Sequence, residues 1–160
     1  LPQQVVFSQR KFDLTEPSSV SMDAWYGYPA SRRRVLAGAE AAGVENLMVL
    51  SGDVHVHYAF DIKRDFDDPQ SQTLGTEIVA TSISSGRDGS DRPANWDTYM
   101  RANPHLKFYN GRRGYVTLAL DTRQARVDHK ALSAVTSTGG TLSTAASFVT
   151  EVGHQGLEQV

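Results

Sequence analysis

A carboxylate and two imidazoles stand at alternate positions just after a strongly apolar run. Asp53, His55 and His57 follow residues 47–50, a Leu-Met-Val-Leu run that predicts a buried strand. On an extended chain, residues two apart share one face, with Cα atoms about 6.8 Å apart. Carboxylates and imidazoles bind Fe, Zn or Mn, and carboxylate oxygens also bind Ca. The pattern predicts either a metal site or a polar strand end with solvated histidines, and spacing alone does not decide between them.

Three other polar runs are weaker candidates for a site. The acidic run 65–68 fails as an EF-hand loop, because Gln70 and Thr76 stand where that loop needs Gly and Glu. The segment 84–89 can present backbone N–H groups and an arginine to an anion, but it matches neither a P-loop nor a nucleophile elbow. By itself it predicts a flexible turn. The three arginines at 32–34 predict a solvated helix face.

The elements that must position these residues alternate between helix and strand in the first half of the chain. Pro29 suits the first turn of a helix that ends at Gly43. A shorter helix, capped by Asn95, covers 96–100 after a long loop at 82–93. Strands are predicted at 5–7, 47–50, 58–62, 77–80, 115–120, 125–132 and 148–152, with a Ser- and Thr-rich surface loop at 133–147. The order indicates an α/β fold.

Composition narrows the functional classes. The 160 residues fit one domain, and 39% apolar with 21% charged residues argue against disorder and coiled coil. A formal charge of −2 offers no global field for nucleic acid or anionic lipid, and no apolar run approaches the roughly 18 residues of a membrane span. The absence of cysteine is compatible with either redox compartment.

Seven segments, taken in order, resemble the PhoD-type alkaline phosphatases, which belong to the calcineurin-like metallophosphoesterase group. Each is short, but their shared order and spacing cover most of the chain. One of them is the Gly-Asp-Val-His segment that contains Asp53 and His55. The matching segments are 4–7, 23–29, 52–55, 75–86, 103–110, 113–115 and 147–149.

The resemblance implies a four-layer α/β/β/α sandwich that hydrolyses phosphate mono- or diesters. In it, Asp53 would ligate one metal ion and His55 another, with calcium and iron the expected ions and zinc or manganese possible alternatives. Apart from these ligands, no catalytic residue is implied. The family is exported, so a periplasmic, cell-surface or extracellular location is expected, with the signal outside these residues. The expected partner is a phosphate ester substrate, and nothing indicates an oligomeric state.

Several positions depart from the family pattern near the expected site. Tyr26 stands where the family usually has Asp, and His57 and Tyr58 stand where Asn and Trp are expected. Arg87 replaces a common Gly and would add positive charge beside the phosphate or point to solvent. The aromatic residues around Gly27 predict either the rim of a pocket or a packed turn. The candidate substrate contacts are Trp25, Tyr28, His57 and Arg87.

Most ligands of a metallophosphoesterase come from motifs in its N-terminal half, and residues 1–160 contain no such set. The chain is therefore interpreted as the C-terminal portion of a single metallophosphatase domain, inactive without the other half. Two alternatives stay open. One is a non-catalytic, β-rich module that binds calcium or a partner through its acidic loops; the other is a phosphodiesterase that acts on a polymer such as teichoic acid.

Overall fold

Two four-stranded sheets pack face to face, and helices cover the outer side of one of them. The computed structural model describes residues 1–15 and 19–160. A 3-10 turn at Trp25–Gly27 precedes the first helix. The helices are α1 (Pro29–Ala41) and α2 (Trp96–Ala102), and the strands are β1 (Leu47–Ser51), β2 (His57–Lys63), β3 (Thr73–Val79), β4 (Leu106–Asn110), β5 (Gly114–Leu120), β6 (Gln124–Leu132), β7 (Leu142–Glu151) and β8 (Glu158–Gln159).

The first sheet has the strand order β1-β3-β2-β4. β1 runs parallel to β3, and β2 runs antiparallel to both of its neighbours. Ser51 and Tyr58 both pair with Val79, and His57 pairs with Asn110. The ends of β1, β3 and β4 therefore meet the start of β2 at one edge of the sheet. The loops 52–56, 80–95 and 111–113 all leave from this edge.

The second sheet is antiparallel in the order β5-β6-β7-β8. Alternation along its strands sends Val127 and Phe148 into the core between the sheets, whereas Asp128 lies on the opposite face beside Arg126 and Lys130. One face of this sheet is thus apolar and packed, and the other carries ionic side chains. Such alternation is typical of an antiparallel sheet with one covered face.

The outer side of the first sheet is covered by α1 and by residues 5–8. Phe7 and Leu36 are buried there against Val49 and Ile62. Arg32, predicted to be solvated, is buried instead: its guanidinium lies 4.4 Å from the ring of Phe66 and donates to main-chain and side-chain oxygens of residues 7–9. The aliphatic part of its side chain and the flat guanidinium allow α1 to pack closely on the sheet, while the charged N–H groups still have hydrogen-bond acceptors.

Most predicted elements are present, but two predictions were wrong and two strands were not expected. Residues 5–7 form no strand, because the amides of Phe7 and Ser8 bond the side chain of Glu77 rather than a neighbouring backbone. The strands β4 and β8 were not expected. The predicted loop 133–147 is too long, because β7 already begins at Leu142.

Candidate active site at one edge of the first sheet

Three loops converge where β1, β3 and β4 end. The amide of Ala80 donates to Ser51 O at 2.9 Å, which holds the loops after β1 and β3 together beyond the strands. A Cβ at Gly52 would lie 3.6 Å from Ala80 O. In open α/β sheets, ligands bind outside the carboxyl ends of parallel strands, and this edge has that character.

Asp53 and His55 lie in the first of these loops, and their backbone is not extended as the alternating pattern suggested. Their φ angles are 72° and 56°, and Val54 N donates to Gly52 O at 2.9 Å to close a γ-turn around Asp53. Both side chains are exposed. A positive φ strains a side-chain-bearing residue by about 1–3 kcal/mol and is concentrated at functional sites. The turn thus presents both groups to solvent at a conformational cost.

Asp53 also lines a cavity of about 600 Å³ between its loop and the start of α1. Trp25 and Tyr28 line the same cavity, so three of the predicted site residues meet there. Trp25 is half-buried, since its ring packs 5.3 Å from that of Phe7, whereas Tyr28 is 50% exposed. The full lining is Gln4, Val5, Met22, Asp23, Ala24, Trp25, Tyr28, Ser31 and Asp53. The cavity thus has aromatic walls beside two carboxylates, those of Asp23 and Asp53.

His57 does not belong to this site. It is fully buried between the two sheets, its Nε2 lies 3.1 Å from Lys130 O, and its Nδ1 lies 3.2 Å from Nδ1 of His129. Because β2 has begun at His57, the alternation of the strand turns this side chain away from the loop and into the core. The expectation of a substrate contact at His57 is therefore corrected: it is an inter-sheet packing residue.

Arg87 lies in the second loop, which is hydrogen-bonded to the second sheet's region of the chain at Asp88. Its φ is 60° and its side chain is exposed. Asp88 accepts hydrogen bonds from Val135 N at 2.6 Å and from Thr136 N at 2.9 Å, which fix the loop to the region after β6. These donors hold the pKa of Asp88 below its usual value. The segment forms a turn, as predicted, and Asp88 anchors it.

The third loop supplies a buried guanidinium that the sequence analysis did not single out. Arg113 is 3% exposed and donates to the main-chain oxygens of Ser85 and Gly111, and at 3.4 Å to Ser82 Oγ. Burial lowers its pKa. The available sequence signal was an arginine directly before Gly114, at the start of a strand and beside a long polar loop. That pattern does not separate a buried anchor from a solvated charge.

The donor set fits part of a metal site. Asp53 and His55 offer an oxygen and a ring nitrogen, and neither has a hydrogen-bond or ion-pair partner among the described residues. Within residues 1–15 and 19–160, however, no three His, Cys, Asp or Glu side chains are grouped so as to hold an ion. Asp53 and His55 alone therefore do not complete a metal shell.

Comparison with known proteins places this arrangement in a family. The family model for PhoD, described as a PhoD-like phosphatase, matches residues 1–129. The chain belongs to the PhoD-like phosphatase family. Alkaline phosphatase D of Bacillus subtilis (strain 168) is 39% identical over 160 residues, which are 100% of this chain and 27% of that protein.

A solved structure described as "Structure of PhoD" matches the PhoD-like chain with a TM-score of 0.92 at 39% identity, over 99% of this chain and 30% of that one. These findings confirm the resemblance and the α/β fold class expected from the sequence. The chain spans less than a third of the length of either relative. In the described residues, no helix is long and apolar enough to cross a membrane.

Proposed function

We propose that the protein hydrolyses phosphate esters at the edge formed by the three loops. One observation carries the proposal: Asp53, His55 and Arg87 are the non-glycine residues with positive φ in the described part of the chain, and all three lie at this edge. Each is exposed, and none has a hydrogen-bond or ion-pair partner there. Strained, exposed and unpartnered polar groups in adjacent loops favour a ligand site over a structural role.

The proposed roles of the site residues follow from their chemical type. Asp53 and His55 are the proposed metal ligands, with calcium and iron the proposed ions and zinc or manganese the alternatives. Bound metal supplies charge that polarises the phosphoryl oxygens and lowers the pKa of water. Arg87 offers a guanidinium to the remaining phosphoryl oxygens, and fork-shaped donors match such oxygens well. Trp25 and Tyr28 provide the wall against which the ester's alcohol part lies.

Residues 1–160 are proposed to be the C-terminal portion of a single metallophosphatase domain. The relatives are more than three times as long, and two donors fill only part of a metal shell, since calcium takes 6–8 oxygen ligands. The remaining ligands would come from the rest of the protein, and the isolated piece would have little activity. An exported location is proposed on the same resemblance.

A calcium-binding module built on the acidic loop is less favoured. The carboxylate of Asp67 accepts a hydrogen bond from Gln9 and pairs with Lys11 at 3.1 Å. Asp65 and Asp68 accept hydrogen bonds from backbone amides of their own loop. These carboxylates are therefore occupied by the chain's own donors.

The test compares Asp53→Asn and His55→Asn in the full-length protein, loaded with metal, on p-nitrophenyl phosphate. Asparagine tolerates positive φ, so both substitutions keep the turn while they replace the carboxylate or the imidazole with a weaker, neutral amide donor. We expect kcat/KM to fall at least about 100-fold, the scale on which loss of a charge-stabilising group acts. Asp68→Asn is the matched control and should leave turnover unchanged. Turnover within threefold of the parent in both site variants contradicts the proposal. Bis-p-nitrophenyl phosphate, assayed in parallel, separates diester from monoester preference.

A further inference from the structure

The loop that carries Arg87 is wound around the side chain of Arg113. At one end of the loop, Gly114 N donates to Ser82 O at 3.0 Å; at the other, Gly111 N donates to Ser90 O at 2.9 Å. These two hydrogen bonds close a ring of main chain between residues 82–90 and 111–114. The guanidinium of Arg113 fills the interior of that ring.

Contacts on both sides of Arg87 show how closely the ring fits. A Cβ built on Gly86 would collide with Nη1 of Arg113, and one built on Gly89 would lie 3.0 Å from its Nη2. Both glycines have positive φ, 94° and 69°. The turn therefore needs glycine at both positions for its backbone conformation. The guanidinium of Arg113 also occupies the space beside Gly86, and the carbonyl of Gly111 occupies the space beside Gly89.

The acceptors of Arg113 are neutral. It donates to the carbonyl oxygens of Ser85 and Gly111, and it has no carboxylate partner within the described ranges. A planar guanidinium can bridge two carbonyls in fixed directions, which an ammonium on a flexible stem does poorly. Its charge also stays uncompensated beneath the loop. His55 Nδ1 lies 3.8 Å from the point where a Gly86 Cβ would be, so this buried cation sits below both loops of the site.

We propose that Arg113 is the positioning residue of the phosphate-binding end of the site: by bridging Ser85 O and Gly111 O, it fixes the loop so that the guanidinium of Arg87 faces the substrate. The proposal rests on the proposed function. Arg113 itself touches no substrate and acts through Arg87. A loss of Arg113 should therefore matter only while Arg87 is present.

The experiment is a double-mutant cycle with Arg113→Lys and Arg87→Gln in the full-length, metal-loaded protein. A misplacement of about 1 Å in a binding group costs up to about 100-fold in rate, so Arg113→Lys should lower kcat/KM about 10- to 100-fold, mainly through KM. In the Arg87→Gln background, it should cost less than about threefold more, because residues that act through one another are non-additive. Effects that multiply fully in the cycle overturn the proposal.

Arg32→Lys is the matched control, since Arg32 is equally buried (3% exposed) but lies in α1, where its guanidinium packs on Phe66 and not on the loop 82–90. It should lower thermal stability, and its effect on kcat/KM should multiply with that of Arg87→Gln. Gly86→Ala disturbs the same ring from the loop side and should show the non-additivity expected of Arg113→Lys. It replaces Arg113→Lys in the cycle if the lysine variant fails to fold.

Hydrogen–deuterium exchange provides a readout that needs no activity. Arg113→Lys or Gly86→Ala should raise amide exchange in residues 82–90 and leave β6 and β7 as in the parent; unchanged exchange in 82–90 overturns the proposal. If Asp53→Asn keeps full turnover, the proposed function fails, and exchange still decides whether Arg113 holds the loop.

Discussion

The imidazole rings of His57 and His129 meet between the two sheets with their Nδ1 atoms 3.2 Å apart. His57 Nε2 lies 3.1 Å from Lys130 O and donates to it, so Nδ1 of His57 accepts the proton of His129 Nδ1. His129 Nε2 is buried and has no partner among the described residues. This bond joins β2 to β6 and requires a neutral His57 as its acceptor, whereas burial is what keeps His129 neutral.

The first prediction is a loss of stability in mild acid. Burial lowers the pKa of His129 to about 3 and that of His57 to about 4. In the unfolded chain, both histidines protonate near pH 6.5. Between pH 6.5 and about 4, the unfolded chain therefore binds more protons than the folded chain. The free energy of unfolding falls as pH drops through that window. Urea unfolding at pH 7.5 and 5.0 measures the fall.

The variant His129→Asn isolates one of these groups. Its amide can still donate toward His57 but does not titrate. Between pH 7.5 and 5.0, the variant should lose on the order of 1–2 kcal/mol less stability than the parent. Equal acid sensitivity in the parent and His129→Asn contradicts a neutral buried pair.

A second prediction concerns Glu77, which is buried in the centre of the first sheet. Its carboxylate accepts hydrogen bonds from Phe7 N at 2.8 Å, Ser8 N at 2.7 Å and Ser51 Oγ at 2.5 Å. Burial raises its pKa, and the three donors oppose that rise. Glu77→Gln turns an NH2 group toward at least one buried donor, so the free energy of unfolding should fall by about 1–3 kcal/mol. Chemical denaturation at pH 7.5 tests this, and exposed Glu158→Gln should change it by less than about 0.5 kcal/mol.

The same carboxylate shows why part of the fold was predictable from sequence and part was not. The elements β1, β2 and α1 were predicted correctly because their signals are local: the spacing of apolar residues, and the glycine or proline residues that begin or end an element. Residues 5–7 are also a short apolar run, but the amides of Phe7 and Ser8 donate to the side chain of Glu77, which is 69–70 positions away. No local pattern contains that pairing. β4 was missed because a five-residue strand with an exposed lysine resembles a loop.

The candidate site was likewise predictable from sequence only in part. Residue type and position after a buried strand were enough to single out Asp53 and His55, but their positive φ was not foreseen, because the alternating pattern predicts extended chain. His57 fits that pattern equally well and lies in the core, since the turn ends one residue before it. Arg113 acts through contacts with main-chain oxygens, which sequence does not display.

A third prediction compares two glycines of nearly equal conformation. Gly43 and Gly89 have φ of 67° and 69°. A Cβ at Gly43 would meet nothing within 4 Å, whereas one at Gly89 would collide with the carbonyl of Gly111. Gly43→Ala should cost about 1–2 kcal/mol of stability, the strain of a left-handed alanine. Gly89→Ala should cost clearly more and should also raise amide exchange in residues 82–90. Equal losses in thermal unfolding would mean that the loop does not hold Gly111 at this distance.

The fourth prediction separates binding from folding on the cavity wall. Tyr28 is 50% exposed, so Tyr28→Ala should leave the melting temperature unchanged. Loss of an aromatic contact worth about 0.5–1.5 kcal/mol should raise KM for p-nitrophenyl phosphate about 2- to 12-fold, with a smaller rise for glycerol phosphate, which has no ring to stack. Trp25→Ala should raise KM and also lower stability, because that ring packs on Phe7 and its Nε1 donates to Gln3 at 3.0 Å.

Tyr115 is the matched control for Tyr28, because it is 40% exposed and lies on the outer face of the second sheet, away from the cavity. Tyr115→Ala should leave KM unchanged for both esters. A KM for Tyr28→Ala that equals that of Tyr115→Ala would show that the alcohol part of the ester does not lie along this wall. The metal ligands would then act on a substrate bound from another side, and Asp53→Asn would still lower kcat/KM as proposed.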